Sequence, residues 1–320
     1  MKEIGGYFGL ELPQPQQEYI HSQCVMVNSG RHALEYILKS LGNQINKVWI
    51  PYYTCEVVLQ PIVKLGIQYE FYNIDSSLEL EAEISLQDGE YILANNYFGI
   101  KDAYIKRLVD PYGQRLIVDN AQAWYAKEIP EINMFYSPRK FFGIPDGGVA
   151  ACNEQLDMVL EDDFSYDRSS HLLKRIDFNA GTGYSDFRIN SQLLSDTPLR
   201  RMSKLSQRIL SSINFEQVKD IRRSNYQYLH NQLKSTNLLN MPTMESFECP
   251  LVYPYMTNDT TLRQRLIDNK IFVATYWPNV LEWCDKDSLE YYLAQYILPL
   301  PIDQRYGEEE MNKIIKMILR

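Results

Sequence analysis

Lys140 stands between the run Met134-Phe135-Tyr136-Ser137-Pro138-Arg139 and the run Phe141-Phe142-Gly143-Ile144-Pro145-Asp146-Gly147-Gly148. Upstream, Leu116-Ile117-Val118-Asp119-Asn120-Ala121-Gln122 puts an acid at the end of an apolar strand, 140 − 119 = 21 residues before the lysine. A lysine amine held between a strand and a glycine pair can form a Schiff base with an aldehyde. A strand-end carboxylate can keep a pyridine nitrogen protonated, so that the ring accepts electrons. Together these are the two groups that pyridoxal phosphate (PLP) chemistry requires. The competing reading of Lys140 is a surface lysine on a loop, which its neighbours Phe141, Phe142 and Gly143 argue against.

Other residues fit the same chemistry. Val27-Asn28-Ser29-Gly30-Arg31-His32-Ala33-Leu34 runs from strand through turn into helix. The first helical N–H groups and the helix dipole favour a phosphate there, and Gly30 lets the backbone approach it. Arg31 can add a charge-assisted bond. An ordinary capped turn with a solvated Arg31 reads equally well. Asp119 alone could also be a helix cap or a metal carboxylate. The four histidines, His21, His32, His171 and His230, are scattered, so no metal is expected. Ala121 is small enough for a flat ring to lie against the backbone, and Gln122 can donate to a phenolic oxygen. Tyr52-Tyr53-Thr54-Cys55 follows the strand end at Pro51, where an aromatic could stack on a flat cofactor or simply pack in the core. Ser137-Pro138-Arg139-Lys140 also matches the S-x-x-K of penicillin-binding enzymes. Their S-D-N and K-T-G are missing, since Ser185-Asp186 is followed by Phe187 and no K-T-G occurs.

The elements that must position these residues alternate. Strands are expected at Cys24 to Asn28, Lys47 to Pro51, Gln68 to Tyr72, Tyr91 to Asn95 and Arg115 to Asn120. Helices are expected after Ser29, from Thr54 to Leu65 and from Ala103 to Leu108. This rhythm predicts an α/β fold with a mainly parallel sheet between helices, its ligand groups at the carboxyl ends of the strands. Residues 156–197 read as polar and irregular, and a long amphipathic helix is expected from Phe215 to Leu233. A small C-terminal α+β unit follows, with strands near Leu251 to Tyr255, Phe272 to Thr275 and Tyr296 to Leu298. It also holds a helix near Leu262 to Asn269 and a last helix that opens on Glu308, Glu309 and Glu310. The expected division is a large domain over 1–235 and a small one over 236–320.

Taken in order, the pieces resemble the DegT-type sugar aminotransferases of the aspartate aminotransferase fold (fold type I). The matching residues are Ser29-Gly30, Pro51 with Thr54, Asp119 with Ala121 and Gln122, Ser137 with Lys140, and Gly147-Gly148. Tyr276-Trp277-Pro278 and Leu298-Pro299-Leu300-Pro301 extend the resemblance into the last domain. It implies that Lys140 is the aldimine lysine and proton shuttle, and that Asp119 pairs with the pyridinium nitrogen. It implies that Gln122 contacts the phenolic oxygen, while Ser29, Gly30, Arg31 and Ser137 hold the phosphate. It further implies a homodimer, glutamate as amino donor, and a nucleotide-linked keto sugar destined for surface polysaccharide. A PLP-dependent sugar dehydratase and a non-catalytic relative are the alternatives, and family dehydratases carry histidine at the lysine position. Departures are plain. Arg31 stands where the family has threonine, and Cys55 where it has its stacking aromatic, leaving Tyr53 or Trp124 for that place. The asparagine that family members offer across the dimer has no clear match, and Arg188 is the candidate contact to the neighbour's site.

Composition narrows the setting. Of the 320 residues, 45% are hydrophobic, enough for a sizeable core. Lys+Arg 32 against Asp+Glu 41 gives −9, which argues against nucleic acid and anionic membrane partners. Met1 to Tyr7 holds no apolar h-region, and no apolar run is long enough to span a bilayer. Five scattered cysteines without a C-x-x-C pair fit reduced thiols, so a cytoplasmic protein is expected.

Overall fold

The computed structural model describes residues 4–14, 20–21 and 24–319. The expected absence of a leader therefore falls partly on residues outside the described ones. The large sheet is built from β1 (Val25–Val27), β2 (Lys47–Pro51), β3 (Gln68–Tyr72), β4 (Glu90–Asn95), β5 (Leu116–Asn120), β6 (Asn133–Tyr136) and β7 (Gly148–Ala151). Their order across the sheet is β1-β7-β6-β5-β4-β2-β3. β3, β2, β4, β5 and β6 run parallel, while β7 is antiparallel to both β6 and β1. The central strands are buried along almost their whole length, as the apolar runs Tyr91-Ile92-Leu93-Ala94 and Leu116-Ile117-Val118 require of a sheet covered on both faces.

Helix α1 (Gly30–Leu41) lies on the sheet through Ala33, Leu34, Ile37, Leu38 and Leu41, all buried. It is followed by α2 (Leu59–Lys64) and α3 (Asp102–Tyr112). The helix expected from Thr54 to Leu65 is shorter than expected, with a 3₁₀ turn at Glu56–Val58 leading into α2. Register at the strand ends sets Asn95 beside Asp119 and Asp119 beside Phe135. The strand-end acid therefore sits at the middle of the sheet's carboxyl edge.

Residues 156–197 differ from the expectation of an irregular stretch. They contain α4 (Ser170–Asp177) and α5 (Ala180–Asp196), an antiparallel hairpin. Gly181 and Gly183 resemble breakers in the sequence, but Gly183 is a contact point: a Cβ there would lie 2.9 Å from the His171 carbonyl oxygen. Asn179 opens α5 by accepting the Thr182 N–H at 3.1 Å. Next come α6 (Lys204–Ser211) and α7 (Phe215–Leu233).

The C-terminal unit pairs β8 (Val252–Met256) with β9 (Ile297–Pro301), antiparallel. Around them lie α8 (Leu262–Asp268), α9 (Val280–Trp283), α10 (Leu289–Tyr296) and α11 (Glu308–Ile318). Phe272 to Thr275 is not a strand. The Ala274 carbonyl is taken by the Arg263 guanidinium at 2.6 Å rather than by a neighbouring strand. Tyr296 closes α10, so the last strand begins one residue later than expected. One buried cluster joins Ile92 and Val118 of the large sheet to Tyr253 and Leu298 of the small one, so the two units share a core.

Candidate active site

Lys140 ends a short 3₁₀ turn, Pro138–Lys140, that leaves the sheet after β6. Pro138 pre-sets the first turn, and the Lys140 N–H donates to the Ser137 carbonyl at 3.2 Å. The following residues anchor it. Phe142 packs edge-on against Trp124 and Phe215, at 5.7 and 5.3 Å between centroids. The Phe141 carbonyl accepts from Gln304 Nε2 at 2.8 Å and Arg222 Nη2 at 3.4 Å. The lysine side chain itself is exposed, and among the described residues it makes no hydrogen bond or ion pair. A fixed backbone carrying an uncommitted amine is the arrangement a nucleophilic lysine needs.

Asp119 is half-buried. Its Oδ1 accepts the Ala121 N–H at 2.7 Å. Burial pushes its carboxyl above the usual range, while the Lys140 charge and the Ala121 N–H pull it down. A positive group brought against it would strengthen the second tendency. Cys55 lies in the same neighbourhood: burial raises its thiol, the Lys140 charge lowers it and Asp119 raises it. Lys140, Asp119 and Cys55 are therefore together, at the carboxyl edge of the sheet.

Gln122 carries an unbalanced amide. Its Oε1 accepts the Phe98 N–H at 2.7 Å, yet its Nε2 is buried without a partner. A buried donor of this kind implies an acceptor that the chain does not supply. Ala121 beside it is buried and small.

At the α1 turn, Ser29 caps the helix. Its Oγ accepts the His32 N–H at 3.3 Å and faces His32 Nδ1 at 2.8 Å. Burial holds His32 down to about 4, so its ring is neutral. The Ser29 hydroxyl is thus committed to His32, and the first N–H groups of α1 are what remain for an anion. Gly30 packs directly on Ser137, where an added Cβ would lie 3.3 Å from the serine Cβ. Ser137 Oγ has no hydrogen bond among the described residues.

The other aromatic candidates sit deeper. Tyr53 is fully buried between Tyr97 and Trp277, at 5.4 and 5.2 Å. Trp124 is equally buried, against His21, Phe142, Phe215 and Tyr136. Thr54 binds the strand ends together: its Oγ1 accepts from Asn95 Nδ2 at 2.8 Å and its carbonyl from Asn279 Nδ2 at 2.9 Å. That second bond brings Tyr276 to the site. Tyr276 lies near Cys55 and stacks on Phe98 at 6.2 Å. Tyr276 appears in the sequence only as part of the Tyr-Trp-Pro run, and Phe98 carries no signal except its neighbour Gly99. Both are brought to the site by long-range packing. Arg31 makes hydrogen bonds to Gln60 Oε1 and Ser195 Oγ.

Elsewhere, His21, Cys24 and Glu128 are the residues of metal-ligand type that cluster among those described. Both His21 ring nitrogens already face acceptors, Glu128 Oε1 and the Trp124 carbonyl, the latter at 2.8 Å. This is a tie between the N-terminal segment and the core. No described helix is long and apolar enough to cross a membrane.

No family model matches the chain. No curated protein matches it in sequence. Solved structures do match. The sugar aminotransferase CalS13 from Micromonospora echinospora is 16% identical, with a TM-score of 0.61 over 93% of this chain and 87% of its own. A DegT DnrJ EryC1 StrS aminotransferase from Brucella abortus is 17% identical, with a TM-score of 0.62 over 92% of this chain and 85% of its own. The PLP form of Spr1654 from Streptococcus pneumoniae is 15% identical, with a TM-score of 0.62 over 92% of this chain and 85% of its own. The chain has the fold of these aminotransferases, fold type I.

Proposed function

We propose that this protein is a PLP-dependent aminotransferase of the DegT type. One observation carries the reading. An uncommitted lysine, Lys140, lies near enough to the strand-end acid Asp119 for its charge to act on it, and Gln122, three residues after that acid, holds a buried and unpartnered Nε2. The three groups match the amine, the ring-nitrogen partner and the phenolic-oxygen donor that the cofactor requires. When bound, PLP would supply the electron sink for moving an amino group. Asp119 would hold the ring nitrogen protonated, Gln122 would fix the ring's edge, and Ala121 would lie against its face. Ser137 Oγ and the first N–H groups of α1 would take the phosphate. Lys140 would carry the proton, accepting and returning it at Nζ. Cys55 and Tyr276 would lie beside the site in place of Tyr53 and Trp124, whose rings fill the core.

The substrate side is coarser. The neighbours named as sugar aminotransferases support a keto sugar as amino acceptor, and we take it to be nucleotide-linked, with glutamate as donor and surface polysaccharide as destination. Five scattered cysteines without a C-x-x-C pair support a protein that works in the cytoplasm. The large and small domains would divide after α7, near residue 235.

A homodimer is part of the proposal. The α4–α5 hairpin exposes Ile176, Tyr184, Phe187, Ile189 and Leu193 on the single chain, with Ile176 80% and Tyr184 60% accessible. Exposed apolar side chains on a surface hairpin of this kind support an interface there. Arg188 beside it is exposed and unpaired among the described residues, free to reach a neighbour's anion. Lysine at position 140 disfavours the dehydratase alternative. Mixing the PLP-loaded protein with glutamate tests the function. Conversion of the bound cofactor to its amine form is expected, and is expected to be lost in Asp119→Asn. A protein that binds PLP but never exchanges an amino group would instead be the non-catalytic relative.

A further inference from the structure

Arg31 and Arg139 flank the Gly30–Ser137 contact in the chain and reach the same face of α5. Arg31 follows Gly30 and reaches Ser195 Oγ on α5. Arg139 precedes Lys140 and reaches Ser191 Oγ, one turn earlier on α5, at 3.4 Å. Among the described residues neither arginine makes an ion pair. The Nε of Arg139 is buried with no hydrogen-bond partner.

The nearby acids act on them from a distance but do not pair with them. Asp146, the acid that acts on Arg139, spends both oxygens elsewhere. It accepts from the Ser203 N–H at 2.8 Å, from Ser203 Oγ at 2.6 Å, and from Ser206 Oγ. Asp196, which acts on Arg31, lies beyond ion-pair distance. Burial draws the Arg139 guanidinium down to about 10; the Asp146 charge opposes this, and the charges of Arg31 and Arg168 add to it. Holding two unpaired guanidiniums together costs free energy in a chain of net charge −9, where carboxylates are abundant. Serines at both contacts, where acids would pair them, leave the charges available to a ligand.

We propose that Arg31 and Arg139, braced by Ser195 and Ser191 of α5, form a two-guanidinium receptor for a phosphate-type dianion. Guanidinium forks match phosphate oxygens, and two of them balance a dianion. As an anchor for the cofactor's phosphate the receptor rests on the aminotransferase reading. As an anion site it does not.

Titration of the purified full chain with PLP, pyridoxal, inorganic phosphate and a nucleoside diphosphate tests this. Arg139→Gln and Arg31→Gln should each weaken PLP roughly 10- to 100-fold while leaving pyridoxal unchanged. Arg139→Lys should restore part of the loss. If the dianion belongs to the sugar substrate, PLP affinity holds and the nucleoside diphosphate is lost instead, which also supports the receptor. Circular dichroism checks each variant, and Arg31→Gln decides if Arg139→Gln fails to fold. Unchanged affinities for PLP, phosphate and nucleoside diphosphate in the folded variants would overturn the receptor and leave the aminotransferase reading standing. Arginine-dependent binding of inorganic phosphate by a protein that takes no PLP would do the reverse.

Discussion

Gly148 runs so close to Ser29 that a Cβ on the glycine would lie 2.0 Å from the serine's carbonyl oxygen. The adjoining Gly147 N–H donates to the Asn28 carbonyl at 2.8 Å. The glycine pair thus fastens the start of β7 to the turn that opens α1, rather than making room for the lysine. Both atoms in the clash belong to backbone, so neither can swing aside. Gly148→Ala is expected to yield little soluble protein, or folded protein that retains no PLP. Soluble yield and cofactor content after gel filtration measure it, and a variant with wild-type values of both would refute the role.

Arg222 of α7 links the lysine loop to the C-terminal unit. It is buried, donates to Leu251 O at 3.0 Å and to Phe141 O at 3.4 Å, and covers the Phe141 ring at 4.6 Å. Removing it leaves a buried carbonyl unpaired and frees the residue next to Lys140. Arg222→Ala should lower the free energy of unfolding by about 2–4 kcal/mol in urea titrations. A loss under about 0.5 kcal/mol, within the range of ordinary surface substitutions, would contradict the linkage.

His32 makes stability depend on pH. The unfolded ring titrates near 6.5 and the native ring at about 4, because burial disfavours its charge. Between these values the unfolded chain binds more protons than the native one. Stability is therefore complete above pH 6.5 and falls as the pH drops towards 4, by a total on the order of 3 kcal/mol. His32→Gln should flatten this part of the profile relative to wild type. Parallel profiles for the two proteins from pH 6.5 to 4 would show that His32 does not carry it.

What the sequence shows and what it hides differ in physical kind. β2 and α7 are legible because their apolar periodicity answers to local burial, and Lys47–Pro51 and Phe215–Leu233 begin and end where expected; Gln68–Tyr72 does so too, although its first three residues are exposed. Asp119 is legible because a strand must end there. The α4–α5 hairpin is hidden, since its apolar residues face outward on the single chain and Gly183, needed for close approach to His171, resembles a breaker. The placing of Tyr53 in the core and of Tyr276 beside Cys55 depends on contacts between distant segments, such as Asn279 with Thr54. Arg139 lies inside the lysine motif, but its lack of a carboxylate partner appears only in three dimensions.

The hairpin also gives a prediction about assembly. Phe187 and Leu193 are both 45% exposed on α5. Phe187→Glu with Leu193→Glu should convert the expected dimer to a monomer in light scattering, with loss of activity. A dimer of unchanged mass would place the interface elsewhere.

The central claim is that Lys140 is the residue that holds the cofactor. Borohydride reduction of the PLP-loaded protein, followed by peptide mapping, tests it most directly. A single reduced adduct on Lys140 is predicted, absent in Lys140→Ala. An adduct on another lysine, or none after soaking with PLP, would contradict it.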